Sequence, residues 1–89
     1  MTKRKISAKF SDGYVNTRTT NNPNLAFGYR IWSTDPAEQA DLERFVRSER
    51  EGFRADRAAC EEFVAKRLDQ CRAKGRQHCR GEVVPVVEG

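Results

Sequence analysis

The chain has 89 residues, 37% of them hydrophobic and 34% charged, with a formal net charge of +4, which leaves room for one domain over residues 1–89 with one modest core. Three cysteines cannot all pair within one chain, which argues against an extracellular disulfide framework and favours a reducing cytoplasm. No apolar stretch is long enough to cross a membrane, and the basic start lacks the apolar segment of a signal peptide.

The first third of the chain has the pattern of strands. Residues 5–10 alternate between apolar and polar side chains. Asp12-Gly13 follows and indicates a hairpin, because Gly takes the positive φ that the turn requires. Residues 14–20 are rich in β-branched side chains, and after an Asn/Pro turn residues 25–33 alternate again. The sequence therefore predicts a three-stranded antiparallel meander over residues 5–33.

A helix start follows the third predicted strand. Asp35 is the predicted N-cap, Pro36 suits the first helical position, and Glu38 has the spacing of a capping box. A helical pattern then continues to about residue 74, where Gly75 is the natural stop. These signals predict helical structure over residues 35–74.

The pattern leaves open whether Gly52 divides this region into two helices. Leu42, Phe53 and Val64 are spaced by eleven residues, which advances a helix only about 20° beyond three full turns. Since the apolar stripe keeps its phase across Gly52, we favour one long helix, straight or bent at Gly52, over two helices joined by a turn. The cost of an interior Gly, about 1 kcal/mol relative to Ala, is tolerable if packing offsets it.

The sequence thus predicts an α+β fold of βββα order, in which the meander packs on the long helix. Residues 75–89 are expected to form a loosely held tail, in which residues 83–87 would form a short edge strand or a segment that docks on a partner, since Pro85 excludes a central strand. A helix of nearly forty residues would overhang so small a sheet, so that its free part would contact a partner, form a homodimer or fray.

The sequence offers little for catalysis. The single histidine, His78, has no nucleophile and orienting group in a pattern typical of an active site, so we expect a non-enzymatic protein without a cofactor. Cys60, Cys71, His78 and Cys79 are possible zinc ligands but lack the closely paired spacing of structural zinc sites. We therefore expect no metal, with Cys60 and Cys71 as small core residues.

Positive charge is concentrated near the two ends of the chain. Residues 3–30 carry six Lys/Arg and one acid, a net +5, and residues 66–80 also carry six and one, again +5. Residues 35–62 carry nine acids and five arginines, a net −4. This distribution is typical of proteins that bind a polyanion or an acidic protein surface, although charge that merely keeps the protein solvated explains it as well.

The candidate partner-binding residues are the cations outside local acid pairs, a row of arginines on the predicted helix, and an Arg/Trp pair on the third predicted strand. They are Lys3, Arg4, Lys5, Lys9, Arg30, Trp32, Arg47, Arg50, Arg54, Arg72, Lys74, Arg76 and Arg80.

Two of these groups have a structural alternative. Arg47, Arg50, Arg54 and Arg57 would form a ridge along one helix flank that tracks phosphates, but interleaved acids favour a solvated flank with ion pairs. Trp32 and Arg30 are predicted to project from the sheet face opposite the core. Trp32 would be an interface anchor or a base-stacking platform, unless the C-terminal tail covers it.

The segment from Lys5 to Arg18, KISAKFSDGYVNTR, resembles the opening of many short phage and prophage reading frames. The tetrapeptide YRIW at 29–32 and Gly52-Phe53-Arg54 continue the likeness, which covers about two thirds of the chain. Some small phage proteins of this kind are anti-CRISPR inhibitors, and the resemblance implies that class without supplying functional residues. It implies a protein of the bacterial host cytoplasm that binds a Cascade-type CRISPR–Cas surveillance complex, with or without its guide RNA, and blocks recognition of target DNA.

Two other function classes are carried forward. One is a small basic nucleic-acid-binding accessory or regulatory protein of a phage, although no recognition-helix motif supports it. The other is a structural homodimer built through the overhanging helix.

Overall fold

The computed structural model describes residues 3–88. The elements in chain order are β1 (Arg4–Lys9), β2 (Val15–Thr20), β3 (Phe27–Ser33), α1 (Pro36–Leu42), a short 3-10 turn (Arg47–Glu49), β4 (Glu51–Arg54), α2 (Arg57–Ala73), β5 (Cys79–Pro85) and β6 (Val87–Glu88).

The six strands form two antiparallel sheets of three strands each. In the first sheet β1 lies between β2 and β6, and in the second β3 lies between β4 and β5. Ile6 pairs with Arg18 in the first sheet, and Tyr29 pairs with Val83 in the second. Strands β2 and β6 are therefore the edges of the first sheet, and β4 and β5 are the edges of the second.

The first sheet, the second sheet and α2 form three layers. Ile6, Ala8 and Phe10 of the first sheet pack with Phe53 of the second in one apolar cluster. A second cluster lies between the second sheet and α2 and contains Tyr29, Ile31, Cys60 and Val64. Strand β3 is thus covered on both faces, which explains why nearly every residue along it is apolar.

Two features were predicted correctly from neighbouring residues in the sequence. Gly13 has φ +93° in the β1–β2 hairpin, as the Asp12-Gly13 pattern predicts. The Asp35 side chain accepts a hydrogen bond from the Glu38 amide at 3.0 Å, and Pro36 opens α1. The predicted hairpin and the predicted helix start are therefore confirmed.

The predicted meander over residues 5–33 is wrong. Strand β3 does not pair with β2 but crosses into the second sheet, where Gly28 lies so close to Ala8 of the first sheet that a Cβ would clash with it. A meander would have left one apolar face of β3 without cover, and layering two sheets removes that exposure from water.

The single helix predicted over residues 35–74 is also wrong. The chain forms α1 and α2, with the 3-10 turn and β4 between them, and Gly52 lies in β4 opposite Tyr29. The eleven-residue spacing misled because Phe53 and Val64 are both buried but in different layers. Asp56 caps α2 by accepting a hydrogen bond from the Ala58 amide.

The C-terminal segment is not a loosely held tail, and the alternative of an edge strand is confirmed, since β5 and β6 lie at sheet edges. Strand β5 pairs along the whole of β3, and β6 then pairs with β1, so that the segment joins the two sheets. Pro85 ends β5, a position that strands allow to Pro. The expected βββα order is thus replaced by an α+β fold with six strands and two helices. The overhang on which the homodimer hypothesis depended does not form, because α2 has 17 residues.

Candidate functional site

A groove of about 590 Å³ lies between the edge strands β2 and β4. Its rim carries Arg18 from β2, Arg47 from the 3-10 turn and Arg54 from β4. Asn16 and Glu51 also line it. We call this feature the arginine groove. Its lining contains three arginines and one carboxylate, Glu51, and therefore has a formal charge of +2.

The floor of the arginine groove depends on a glycine. The Tyr29 ring lies across Gly52, so closely that a Cβ at position 52 would stand 2.6 Å from the tyrosine hydroxyl oxygen. That hydroxyl donates a hydrogen bond to the Ser48 carbonyl oxygen at 2.7 Å. Tyr29 therefore ties the 3-10 turn to the second sheet, and Gly52 provides the room for it.

One arginine of the groove is held in place by a polar network between the two sheets. Arg47 donates from Nε to Glu51 Oε1 at 2.7 Å and from Nη2 to Asn16 Oδ1 at 3.0 Å. The Tyr14 hydroxyl donates to the same Glu51 oxygen at 3.0 Å. Glu51 is buried, and its hydrogen bond raises the pKa of Arg47. Burial and the bond to Glu51 also raise the pKa of Tyr14, so the network holds a cation and a neutral phenol at physiological pH.

The other two arginines are not engaged by acids. Within residues 3–88, neither Arg18 nor Arg54 has a carboxylate oxygen within 4.0 Å. The Arg54 guanidinium carbon lies 5.2 Å from the Phe63 ring centroid and 5.7 Å from that of Tyr29, so cation–π contacts hold the guanidinium group beside the groove. Guanidinium groups in this state suit bidentate binding of a carboxylate or phosphate.

A second basic surface is the outer face of the first sheet. Lys5 and Lys9 are exposed there, beside exposed threonines of β2. Val15 is 48% exposed on this face, and the Ser7 and Thr17 hydroxyls lie 3.2 Å apart. The side chains of β1 and β2 that point to this face are exposed, except that of Ser7, which is half-buried.

The structure distributes the sequence-predicted binding residues over several places. Arg47 and Arg54 line the arginine groove, and Arg50, Lys74 and Arg76 line a second, smaller cavity. Lys5 and Lys9 lie on the outer sheet face, and Lys3 is exposed just before β1. The remaining cations are engaged locally: Arg4 pairs with Glu88, Arg72 with Asp69 at 3.4 Å, and Arg80 donates to the Cys79 carbonyl at 3.2 Å.

Trp32 and Arg30 do not form an exposed anchor. Trp32 is only 9% exposed; its ring packs on Phe10 beside the β1–β2 hairpin, and its strand pairs at this position with Arg80 of the C-terminal segment. Arg30 stacks over the rings of Tyr14 at 3.9 Å and Trp32 at 4.6 Å and pairs with Asp12 at 2.5 Å. Both predicted roles of Trp32, interface anchor and base-stacking platform, are therefore contradicted by its burial.

The predicted arginine ridge is not a helix flank either. Arg47 lies in the 3-10 turn, Arg50 follows it, Arg54 ends β4, and Arg57 begins α2, where it pairs with Glu61 at 3.6 Å. The ridge was wrong because it assumed helical spacing through a region that turns and extends.

Sequence reasoning missed Asn16, Arg18 and Glu51 as parts of this site. The signal was present in β2, where Asn16 and Arg18 pair with the buried Ala8 and Ile6 and therefore share the inward face. A site between two layers requires polar side chains on the inward face of a strand, so this pattern could have indicated the site.

Other chemistries have less support. Within residues 3–88, no group of three or more His, Cys, Asp or Glu side chains is placed to hold a metal ion. Cys60 and Cys71 are buried as core residues, as expected. His78 lies outside the groove, with Nδ1 3.1 Å from Glu38 Oε2. No helix in the described range has the length and apolar character needed to span a membrane.

Comparison of this chain with protein-family models, with curated proteins and with solved structures finds no match.

Proposed function

We propose that this protein is a binding protein that docks through the arginine groove on an anionic surface of a protein or nucleoprotein complex. The observation that carries the proposal is that Arg18 and Arg54 line one groove without acidic partners among the described residues. Arg47 lines the same groove and is held in position by Glu51 and Asn16. Three guanidinium groups around one concave floor suit carboxylates or phosphates presented by a protruding partner segment.

The number of free cations on the arginine groove and on the outer face of the first sheet favours a protein or nucleoprotein partner over naked nucleic acid. Among the cations of these two surfaces, Arg18, Arg54, Lys5 and Lys9 are without ion pairs in the described range, and four phosphate contacts predict a salt slope of about −3.6. DNA-binding proteins with strong electrostatic affinity make about six to ten such contacts. Trp32, Tyr29 and Phe53 are buried and offer no ring face for base stacking.

The narrower proposal is an anti-CRISPR inhibitor that binds a Cascade-type surveillance complex in a bacterial host. Its support is the resemblance of residues 5–18 to phage reading frames, together with a basic groove suited to an acidic subunit surface or an exposed guide-RNA phosphate. Binding there would obstruct recognition of target DNA.

The test is phage survival in a bacterium whose Cascade-type immunity targets that phage. We expect the wild-type protein to restore plaque formation and the double variant Arg18→Glu/Arg54→Glu to lose that effect. The matched control is Arg44→Glu/Arg57→Glu, which changes the net charge equally at exposed sites away from the groove. Absence of protection by the wild type across a panel of such hosts would overturn the anti-CRISPR assignment.

The outer face of the first sheet favours the second candidate, a nucleic-acid-binding accessory protein. Lys5 and Lys9 stand there on an uncovered surface. Affinity for naked DNA or RNA that falls steeply with salt and is lost in Lys5→Glu/Lys9→Glu would support this candidate. Capture of a nuclease-resistant protein complex, lost only in the groove variant, would support the first.

A further inference from the structure

A second, smaller cavity lies between the 3-10 turn, α1 and the C-terminal end of α2. Its volume is about 60 Å³. Its apolar wall is formed by Ile31, Leu42 and Phe45, and four cations surround it: Arg50, Arg67, Lys74 and Arg76. We call it the small cavity. The 3-10 turn separates it from the arginine groove, with Arg47 and Ser48 lining the groove and Glu49 and Arg50 lining the small cavity.

Two guanidinium groups at the small cavity lack hydrogen-bond partners. The Nε atoms of Arg50 and Arg76 are buried from solvent and have no acceptor within residues 3–88. A buried donor on a charged group loses its hydration without compensation unless an acceptor reaches it. These two arginines come from segments far apart in the chain and line the same cavity, which concentrates positive charge there.

The acids nearby do not supply that acceptor. Glu49 pairs with Arg67 at 3.0 Å, and Asp41 approaches only Nη2 of Arg76, at 3.7 Å. Arg50 and Lys74 have no carboxylate within 4.0 Å in the described part of the chain. Four cations against these two acids leave a formal +2 around the cavity.

The C-terminal end of α2 carries a partial negative charge, which disfavours a bound anion. Its last carbonyl oxygens, however, already accept hydrogen bonds from the chain. The Lys74 amide donates to Gln70 and Cys71, and the Arg76 amide donates to Cys71 at 2.9 Å. Arg50 follows the 3-10 turn and is not part of α2. Its positive charge at the cavity therefore has no role in capping that helix.

We propose that the small cavity binds the carboxylate of a ligand with a short apolar group attached. About 60 Å³ corresponds to two water molecules at about 30 Å³ each, which is enough for the three heavy atoms of a carboxylate. The guanidinium groups of Arg50 and Arg76 bind the carboxylate oxygens, and the apolar group packs on the half-buried Phe45 ring. The inference is independent of the proposed function, because it concerns a different site.

The apolar wall distinguishes this ligand from a bare oxyanion. The Phe45 ring is flanked by the Lys74 ammonium at 5.8 Å and the Arg76 guanidinium at 5.7 Å from its centroid, so apolar surface and charge adjoin. Inorganic phosphate would use the charge alone, and an alcohol of equal chain length would use the apolar wall alone.

The test is a titration of the ¹⁵N-labelled full chain with four probes: hexanoate, acetate, hexan-1-ol and inorganic phosphate. We expect saturable shifts of the Arg50, Lys74 and Arg76 amides with hexanoate, at least tenfold tighter than with the other three probes. Arg50→Gln should weaken hexanoate binding at least tenfold. Lys74→Gln, at an exposed position, should weaken it by a smaller factor. Arg44→Gln is the matched control and should leave it unchanged.

Three results would overturn the proposal. One is the absence of saturable hexanoate shifts at these amides in a folded wild-type protein. Another is hexan-1-ol binding as tightly as hexanoate, which would make the cavity purely apolar. The third is phosphate binding more tightly than hexanoate, which would make it a simple oxyanion site. Spectra of each variant away from the cavity serve as the check that it is folded.

Discussion

Tyr29 and Gly52 face each other in neighbouring strands, and the tyrosine ring occupies the space that any side chain at position 52 would need. A Cβ there would lie 2.6 Å from the tyrosine hydroxyl oxygen and 2.9 Å from Cζ. Gly52→Ala therefore forces the ring away from the Ser48 carbonyl. We expect a loss of about 1–3 kcal/mol in the free energy of unfolding, measured by urea denaturation, together with weaker partner binding at the arginine groove.

Two further variants separate the clash from a simple backbone effect. Tyr29→Phe removes the closest atom, so Gly52→Ala should cost less in that background than in the wild type. Gly13→Ala is the control, since nothing lies within 4 Å of its Cβ and only its φ of +93° is strained. Additive costs in the Tyr29→Phe background would show that the tyrosine hydroxyl does not contribute to the clash.

A second prediction concerns the pH dependence of stability. Glu38 accepts hydrogen bonds from Ser33 Oγ at 2.9 Å and from the His78 amide at 3.1 Å, and its other oxygen meets the His78 ring. Desolvation raises the pKa of Glu38, but these hydrogen bonds outweigh it and lower the pKa below its ordinary value. Its contribution to stability is therefore full above the ordinary pKa of about 4.5 and is lost as the pH falls through the lower folded-state value.

We expect Glu38→Gln to be less stable than the wild type at pH 7 and to approach it below pH 4. The measurement is the denaturation midpoint at several pH values, with Glu61→Gln as the control because its carboxylate lies in solvent on α2. A difference between Glu38→Gln and the wild type that stays constant from pH 7 to pH 3 would contradict this account.

A third prediction concerns the thiols. Burial and a hydrogen bond with Cys71 raise the pKa of Cys79 to about 12, and burial raises the pKa of Cys60. At pH 8 about one Cys79 in ten thousand is then a thiolate, against about a quarter for a thiol with an ordinary pKa near 8.5. Alkylation of Cys79 by iodoacetamide, followed by mass spectrometry, should be slower in the folded protein by about a thousandfold. In denaturant all three cysteines should react at similar rates, and rapid labelling of native Cys79 would refute the prediction.

The features that sequence reasoning predicted correctly depend on a few neighbouring residues. The Asp12-Gly13 turn and the Asp35 cap each satisfy backbone groups within three positions, so their signals are readable in the chain. The partners of β3 are not local, since β4 and β5 lie about twenty and fifty residues further along. Residues 51–54 are too few to show a strand period, and Phe53 coincided with a helical stripe although it packs in the other layer.

The same limit applies to the arginine groove. Arg47 and Arg54 were recognised as candidate binding residues but were placed on a helix, where their spacing would have suggested a linear ridge. The groove exists only because β2 brings Arg18 to them, and the chain separates Arg18 from Arg47 by 29 positions (47 minus 18). Charge can be read from the sequence, whereas the concave shape arises from pairing between layers.

A fourth prediction follows from the burial of Trp32, the single tryptophan of the chain. Its ring packs against Phe10 with centroids 6.5 Å apart and carries Arg30 on one face. We expect weak quenching of its fluorescence by acrylamide in the folded protein and strong quenching after unfolding.

Arg30→Gln should lower the free energy of unfolding by about 1–3 kcal/mol, since it removes both the stacking and the ion pair with Asp12. Arg80→Gln, an exposed neighbour across the β3–β5 pair, should change it little. Native quenching as strong as that of a free tryptophan derivative would mean that the ring is open to a partner after all, and would restore the anchor role that its burial contradicts.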